Sequence, residues 1–384
     1  MPLETEKMLI ERALQKHIEK RIGENKALII YGTRRVGKTK LLEATRAKHQ
    51  KKTLLLNAED MSVQAMLAQR TAANYKRMLG KHELLMIDEA QEISGIGKHL
   101  KFLLDTFPRL TIIATGSSSF DLMNKSGEPL TGRRYQFTLN PVSQGELVRH
   151  EGFPETRQQL DERLVFGTYP ETLRMETPDE KQAYLQSLVH TYLLKDIFMY
   201  ETIKNSSKIF DLLKLIAHQV GSEVSLDKLG RNLGMSKNTV ERYLDLLTKV
   251  FVLFRVGGYS GNLRKEVVKS SKWYFYDNGI RNALLADFRP LTQRTDNGQL
   301  WENFCFYERI KRQRYAGKLP EYYFWRTYDR QEIDMIEREN TRIRAFEFKW
   351  GNAATAKLPK AFGENYPKAT FEIISKENYA EFVE

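Results

Sequence analysis

The chain has 384 residues, 41% of them hydrophobic, and a formal net charge of +12 at neutral pH. This length and composition are enough to bury several cores, so we expect two or three domains. Its single cysteine, Cys305, excludes an internal disulfide and fits a reducing compartment. No apolar run approaches the roughly 18–20 residues that a membrane-spanning helix needs, and the first residues lack the apolar core of a signal peptide. We therefore expect a cytoplasmic protein without a membrane partner.

A glycine-containing octet follows the first apolar run of the chain. Residues 27–31 predict a short buried strand, and residues 40–44 open a helix. The octet between them fits the phosphate-loop pattern G-x-x-x-x-G-K-[ST], in which backbone N–H groups and a helix N-terminus hold phosphate oxygens. Its residues are Gly32, Thr33, Arg34, Arg35, Val36, Gly37, Lys38 and Thr39. We expect Lys38 to reach the outer phosphates and Thr39 to place its hydroxyl on Mg²⁺.

The next strong pattern is an apolar strand that ends in two adjacent carboxylates. Residues 84–87 are apolar, as in a parallel strand buried on both faces, and Asp88 and Glu89 follow them. Ligands of open α/β sheets bind at the carboxyl ends of the strands. Asp88 should therefore support the Mg²⁺ shell, and Glu89 should orient and polarise the attacking water. Together with the octet, this pair predicts that the chain binds and hydrolyses ATP.

Two further positions are candidates for contact with the γ-phosphate. Residues 110–115 predict a third strand that runs into Gly116 and Ser117. A hydroxyl at this strand end could touch the phosphate or the water, with Ser117 favoured and Thr115 second, although a serine-rich turn that caps the next helix is the alternative. Arg133 could donate its planar guanidinium to the phosphoryl group of a neighbouring subunit. An ordinary surface arginine is the alternative there.

The middle of the chain changes from acidic to basic. Residues 141–205 predict helices with an acidic excess, and their place after the predicted core suggests a lid over the nucleotide. Residues 205–284 carry 13 Lys and Arg against 7 Asp and Glu, an excess expected of a nucleic-acid-binding module. A charged, solvated surface is the alternative unless the fold supports DNA contact.

The basic segment has the spacing of a helix–turn–helix. Residues 225–233 and 237–250 predict two amphipathic helices joined by a tight turn, and residues 251–256 and 272–276 predict a β-hairpin, so the segment resembles a winged helix. The start of the second helix meets the groove in such motifs. The candidate DNA contacts are Lys237, Asn238 and Arg242, with Arg264, Lys265 and Lys269 in the hairpin connector. Winged helices also serve purely to pack against protein, which is the alternative.

The last hundred residues hold a second set of charged residues with a chemical pattern. Strands are predicted at residues 322–326, 332–336 and 344–349, and side chains alternate along a strand, so Glu347 and Lys349 share a face.

Asp334, Glu347 and Lys349, with Glu302 from a helix, fit the PD-(D/E)xK nuclease pattern. In that pattern carboxylates hold Mg²⁺, and the lysine activates water or stabilises the leaving oxygen. Asp334 lacks the preceding proline of the pattern, and this segment is nearly neutral, which does not favour an independent DNA-cutting surface.

Nearly the whole chain, from Ile30 to Lys349, resembles the prokaryotic AAA-type ATPases that carry a C-terminal domain of unknown function with a PD-(D/E)xK-like end. The resemblance rests on the octet, residues 85–91, 115–118, 132–133, 167–171 and 277–281, and the set Asp334, Glu347 and Lys349. It implies that Lys38 and Thr39 bind ATP, that Asp88 supports Mg²⁺ and that Glu89 is catalytic.

The predicted fold class is α/β with four parts. They are a P-loop AAA-type ATPase core at 1–140, a helical lid at 141–205, a winged helix at 206–285 and a PD-(D/E)xK nuclease-like α/β domain at 286–384. The leading hypothesis is an ATPase that couples hydrolysis to the binding or remodelling of duplex or branched DNA. An ATP-regulated nuclease and a nucleotide switch that binds protein partners are the alternatives. Because an arginine acting in trans needs a neighbour, we expect ATP to assemble a homo-oligomer.

Overall fold

The computed structural model describes residues 10–117, 130–193, 206–260, 271–327, 329, 331–351 and 357–384. The chain divides into two compact units. The first unit comprises Met1–Pro141, Tyr192–Thr202 and Lys249–Phe251, and the second comprises Val142–Thr191, Ile203–Thr248 and Val252–Glu384. Among the described residues, no helix is both long enough and apolar enough to span a membrane.

The first unit is built on a five-stranded parallel sheet. Its strands are β1 Ala27–Tyr31, β2 Thr53–Asn57, β3 Leu84–Asp88, β4 Thr111–Gly116 and β5 Arg134–Thr138. They lie in the order β2-β3-β4-β1-β5, and all neighbours are parallel. Strands β1, β3 and β4 are buried along their whole length, as expected for apolar strands covered on both faces. Because the strands run in one direction, the carboxyl ends of β1, β4 and β3 lie side by side.

Helices connect these strands and cover the sheet. Their bounds are Leu14–Glu19, Lys38–Lys48, Met61–Ala68, Ala72–Leu79 and Ile96–Thr106, with 3-10 turns at Gln50–Lys52 and Ala90–Glu92. The last helix buries Leu100, Leu103 and Leu104 in the same core as the sheet, which is the i, i+3, i+4 spacing of one helix face. The structure confirms the strands predicted at residues 27–31, 84–87 and 110–115 and the helix predicted after the octet, each within one or two residues.

The second unit begins with a run of helices. They are Gln144–Glu151, Phe153–Gln158, Leu160–Phe166 and Pro178–Ser187, followed by a π-helical segment at Leu188–Leu193. Capping boxes begin the first and the last α-helix of this run, since the cap side chain and the third helical residue satisfy each other's backbone N–H groups. The helices predicted within residues 141–205 are confirmed as far as Leu193, and residues 194–205 lie outside the described residues.

The basic segment forms a helix–turn–helix followed by a hairpin. Its elements are the helix Ser206–His218, strand β6 Glu223–Val224, the helices Leu226–Leu233 and Lys237–Lys249, strand β7 Leu253–Gly258 and strand β8 Ser271–Phe275. The Ser225 side chain caps the helix Leu226–Leu233. Gly230 permits the tight turn, because a Cβ there would lie 2.6 Å from the Met235 carbonyl oxygen. Strand β8 pairs antiparallel with both β6 and β7.

The C-terminal part adds four strands and several helices. Its elements are the helices Asn278–Leu285 and Asn297–Tyr315, strands β9 Glu321–Arg326, β10 Glu332–Glu339 and β11 Arg342–Phe348, the helix Lys360–Asn365, strand β12 Thr370–Ile374 and the helix Tyr379–Val383, with a 3-10 turn at Leu291–Gln293. Strand β10 pairs antiparallel with β9 and β11, and β12 pairs parallel with β11.

One continuous sheet joins the hairpin to these C-terminal strands. Its order is β12-β11-β10-β9-β7-β8-β6, and the junction is a short parallel pairing in which Gly257 faces Tyr323 and Gly258 faces Phe324. The parts predicted on either side of residue 285 thus share one sheet within the second unit, and the division at residue 285 stays a prediction. The physical reason is that the free edge of β7 offers backbone groups to β9, a pairing that no local sequence pattern encodes.

Candidate functional site

The octet forms a loop between β1 and the helix Lys38–Lys48. Gly37 is the N-cap of this helix, with a left-handed φ of 100°, and it gives the helix no side-chain cap. The first turn also contains no acidic side chain. A helix N-terminus without a competing carboxylate suits an anion, because its N–H groups and the helix dipole both favour negative charge. The loop geometry therefore fits a bound phosphate.

Lys38 is buried and lies against its own loop. Its Nζ donates to the carbonyl oxygens of Gly32 and Thr33 at 3.0 and 3.2 Å and lies 3.9 Å from Glu89 Oε1. Arg12 supports the loop from the N-terminal segment, since its buried guanidinium donates to the Val36 carbonyl oxygen at 2.9 Å. Nothing in the sequence pattern distinguishes Arg12 from other arginines, so this supporting contact appears only in the fold.

Asp88 receives hydrogen bonds from two threonines. Thr39 Oγ1 donates to Asp88 Oδ2 at 2.6 Å, and Thr115 Oγ1 donates to Asp88 Oδ1. The strand order explains this meeting, because β4 lies between β1 and β3 and brings Thr115 to the same sheet edge. Hydroxyl and carboxylate oxygens are the ligands that Mg²⁺ prefers. Thr39 and Asp88, the residues predicted for Mg²⁺, therefore lie together and have suitable donor atoms.

Glu89 occupies an unusual backbone conformation beside this pair. Its φ is 50°, in the left-handed region, where a residue other than glycine carries strain that neighbouring contacts must hold. Its N–H donates to Thr115 Oγ1 at 3.1 Å, and its Oε2 accepts from Gln91 Nε2 at 2.5 Å. The side chain is 17% exposed, so its carboxylate is oriented by Gln91 and still reachable by water.

The remaining predicted residues of the ATP site lie at the edges of this arrangement. Ser117 is buried just beyond β4, whereas Thr115 is the residue that contacts Asp88. Arg133 lies on the surface, 47% exposed, in an ion pair with Asp105 of the same unit. Exposed ion pairs contribute little stability, so little free energy would be lost if Arg133 exchanged Asp105 for another anion.

The candidate DNA contacts of the helix–turn–helix are exposed. Lys237, Asn238 and Arg242 all face solvent at the start of the helix Lys237–Lys249. Lys237 Nζ lies 3.6 Å from Asp227 Oδ2, and the Arg242 guanidinium lies 5.5 Å from the centre of the Tyr243 ring. The other three candidates, Arg264, Lys265 and Lys269, lie outside the described residues.

The predicted nuclease residues share one site in the second unit. Asp334 Oδ2 on β10 accepts the Phe348 N–H at 2.8 Å, and Lys349 Nζ donates to Glu347 Oε1 at 2.7 Å. Burial raises the pKa of the Asp334 carboxyl well above its ordinary value, and the charges of Glu302 and Glu347 raise it further. These interactions place all four predicted side chains close together.

Two residues that the sequence analysis did not single out enter the same site from β8. Lys272 is 2% exposed, and its Nζ lies 2.5 Å from Glu332 Oε1 and 3.7 Å from Glu302 Oε1. The Tyr274 hydroxyl donates to Glu302 Oε1 at 2.6 Å. Side chains two apart on a strand share a face, but only the strand pairing shows what that face meets. We call Glu302, Glu332, Asp334 and Glu347 the acidic cluster.

The acidic cluster does not fit the Mg²⁺ ions that the nuclease pattern implies. Within the described ranges, no three or more His, Cys, Asp or Glu side chains form a group that could hold a metal ion. Lys272 Nζ contacts Glu302 and Glu332, and Tyr274 occupies the Glu302 oxygen nearest the lysine. The carboxylates are thus engaged by protein donors.

Three family models match successive parts of the chain. Residues 24–148 match the AAA domain, residues 157–291 match the Domain of unknown function (DUF8612), and residues 297–379 match the Domain of unknown function (DUF4143). The AAA match covers the parallel sheet, the phosphate loop and the carboxylate pair. The first unit therefore contains a P-loop ATPase domain of the AAA class.

Uncharacterised relatives align with most of the chain. A protein of Mycobacterium tuberculosis is 27% identical over 348 residues, which are 89% of this chain and 74% of that protein. A protein of Methanocaldococcus jannaschii is 24% identical over 320 residues, 78% of this chain and 70% of that protein.

Solved structures resemble the chain more loosely. The Aeropyrum pernix ORC1 protein in complex with DNA has a TM-score of 0.33 and 13% identity, covering 75% of this chain and 95% of that chain. The Thermotoga maritima RuvB Holliday junction branch migration motor has a TM-score of 0.33 and 18% identity, covering 64% of this chain and 90% of that chain. Superpositions this loose carry no functional argument.

Proposed function

We propose that this ATPase uses ATP with Mg²⁺ and couples its hydrolysis to the binding or remodelling of DNA. The observation that carries the ATP part is the meeting of Lys38, Thr39, Asp88 and Glu89 at one sheet edge. The DNA part is supported by the exposed, basic start of the second helix of the helix–turn–helix.

The chain's own residues divide the work at the ATP site. The N-terminus of the helix Lys38–Lys48 and the Lys38 ammonium would hold the phosphates, exchanging the neutral carbonyl partners of Lys38 for charged oxygens that bind it more strongly. Thr39 and Asp88 would hold Mg²⁺, which neutralises charge on the phosphates when bound. Glu89 accepts a proton from water or polarises it, with Gln91 fixing its carboxylate.

Residues 206–285 are proposed to act as a winged helix on duplex or branched DNA. The order helix, strand, helix, helix, strand, strand supports this proposal, as does the apolar packing of Val240, Leu244 and Leu247 on the opposite side of the second helix from Arg242. Basic side chains at the start of that helix suit phosphate oxygens and base edges.

Assembly of several copies around ATP is part of the same proposal. Arg133 is exposed and its guanidinium pairs with Asp105 at the surface, so it is suited to leave Asp105 for the γ-phosphate of a neighbouring subunit. A guanidinium supplied in this way stabilises the charge that develops during phosphoryl transfer.

The test of the coupled function is ATP hydrolysis with and without DNA. We expect duplex or branched DNA to stimulate phosphate release by the 384-residue protein. In the proposed coupling, DNA bound to the helix–turn–helix favours the conformation in which the ATP site hydrolyses ATP. Lys38→Ala is the blank that measures contaminating activity. Turnover that is indifferent to every DNA structure tested would reject the coupling and favour a nucleotide switch that binds protein partners.

Removing the positive charges at the start of the helix Lys237–Lys249 should weaken binding to DNA of any sequence. For Lys237→Ala with Arg242→Ala, we expect lower affinity and a salt dependence whose logarithmic slope falls by roughly 1 for each DNA phosphate that the variant no longer neutralises. Fluorescence anisotropy over a range of salt concentrations measures both quantities. Lys360→Ala is the matched control, because Lys360 is an 88% exposed lysine of the same unit. Equal affinities for the wild type, the double variant and the control would remove this helix from the DNA interface.

A further inference from the structure

The acidic cluster brings four carboxylates into a partly buried site of the second unit. Side-chain exposure is 16% for Glu302, 17% for Glu347 and 33% for Glu332. Carboxylates removed from water are costly unless a cation and hydrogen-bond donors compensate them. Positive charge from a bound metal ion or a basic side chain is one compensation, and protonation, which the raised pKa of Asp334 favours, is the other.

Basic side chains surround the cluster at two depths. Lys349 Nζ lies 2.7 Å from Glu347 Oε1, and Arg326 Nε lies 3.8 Å from Glu332 Oε2, but both cations are 38% exposed. Lys272 is almost completely buried and contacts both Glu302 and Glu332. It is thus the cation on the inner side of the cluster.

Lys272 keeps its charge in this position. Burial alone would lower the pKa of its ammonium, but the charges of Glu302, Glu332 and Asp334 outweigh burial and raise the pKa above its ordinary value. The ion pairs with Glu302 and Glu332 therefore favour the charged form of Lys272. Removing it would leave the inner carboxylates without their nearest cation.

A divalent ion and the Lys272 ammonium compete for the same oxygens. Mg²⁺ requires a near-octahedral set of oxygen ligands at about 2.0–2.1 Å. Glu302 Oε1 already accepts the Tyr274 hydroxyl and lies next to Lys272 Nζ. A metal ion bound to Glu302 would displace the Tyr274 hydroxyl from this oxygen, and the Lys272 ammonium would repel the ion.

The lysine comes from outside the nuclease-like strands. Lys272 lies on β8 of the hairpin, whereas Glu332, Asp334 and Glu347 lie on β10 and β11. The continuous sheet carries β8 to this site through β7 and β9. Lys272 can thus compensate the negative charge of the acidic cluster because the hairpin and the C-terminal strands form one sheet.

We propose that the Lys272 ammonium is the resident cation of the acidic cluster and that it excludes divalent metal ions from it. The cluster then serves as a buried ion-pair network that joins the hairpin to the C-terminal strands. It does not serve as the metal centre of a nuclease. The described carboxylates form no metal-binding group while Lys272 lies among them. Removing the charge of Lys272 should let them close on a divalent cation.

The test is Mn²⁺ binding by the full-length, nucleotide-free protein, followed by the electron paramagnetic resonance signal of free Mn²⁺. All proteins carry Asp88→Asn, which removes a carboxylate that could bind Mn²⁺ in the first unit. We expect no Mn²⁺ bound in the second unit of this parent, and one ion per chain bound after Lys272→Met. Adding Asp334→Asn should abolish the gained site. Lys272→Arg is the matched control, because it keeps the positive charge and should gain no site.

Two results would overturn the proposal. One is a parent protein that binds one Mn²⁺ ion and loses it with Asp334→Asn, since a metal would then coexist with Lys272. The other is a folded Lys272→Met protein that gains no ion, since the lysine would then not be what excludes the metal. If Lys272→Met fails to fold by circular dichroism, the comparison of the parent with Asp334→Asn still decides whether the cluster binds metal.

Discussion

Glu89→Gln is expected to slow ATP hydrolysis by about 10²-fold or more while leaving ATP binding nearly unchanged. An amide cannot take a proton from the attacking water, and a positioned general base contributes about 10²–10⁴-fold to rate. Lys38 and Thr39, the proposed phosphate and Mg²⁺ residues, remain intact in this variant. Steady-state phosphate release measures the loss of turnover, and calorimetric titration with ATP measures the retained binding.

Two companion variants define what the Glu89 result means. Lys38→Ala should lose both binding and turnover, because it removes the charge that faces the phosphates. Glu92→Gln makes the same chemical change at an exposed position three residues further on and should behave as wild type. A Glu89→Gln protein with wild-type turnover would show that another residue acts as the general base.

The size of the ATP-bound Glu89→Gln form in solution tests the proposed assembly of several copies. A monomer would contradict that assembly.

Gly167→Ala is expected to destabilise the second unit by about 3 kcal/mol or more. Gly167 has a φ of 70°, and a Cβ there would overlap the Asp277 carboxylate. At φ 70° and ψ −162°, a region that essentially only glycine adopts, alanine costs about 1–3 kcal/mol, and overpacking a tight contact adds about 1–3 kcal/mol. The displaced carboxylate also loses the N–H groups of Thr168 and Gly279, each at 2.8 Å. Urea unfolding followed by circular dichroism measures the change.

Gly317→Ala separates the backbone cost from the overlap. Gly317 lies in the same unit with a φ of 72°, and nothing lies within 4 Å of a Cβ built there. This variant should therefore lose only the conformational part, about 1–2 kcal/mol. Equal losses for the two alanines would show that the Asp277 carboxylate moves aside without cost.

The geometry of the proposed nucleotide site could be predicted from sequence because its parts are local. The octet carries its own strand, loop and helix start, and Asp88 and Glu89 follow an apolar run that ends where the strand ends. The contact between Thr115 and Asp88 could not be predicted in this way, and the choice of Ser117 or Thr115 at the γ-phosphate stays a prediction. The contact depends on β4 lying between β1 and β3, which directs the Thr115 hydroxyl at Asp88.

The acidic cluster shows where sequence reasoning stops. The spacing of Glu347 and Lys349 indicates a shared strand face, but Lys272 is separated from Glu332 by sixty residues. Its role depends on the pairing of β7 with β9, which involves two glycines without side chains to mark it. Cross-strand contacts of this kind require the order of the sheet, which no motif in this chain specifies.

The pairing of β7 with β9 limits how the chain can be recombined. A recombinant fragment that ends near residue 285 would leave the outer edge of β7 without its parallel neighbour, and open strand edges promote aggregation. The same fragment would leave Lys272 without Glu302 and Glu332, the two glutamates that pair with it. A transplant of the helix–turn–helix into another ATPase must therefore carry β9 to β12 with it, so the two parts are exchanged together or not at all.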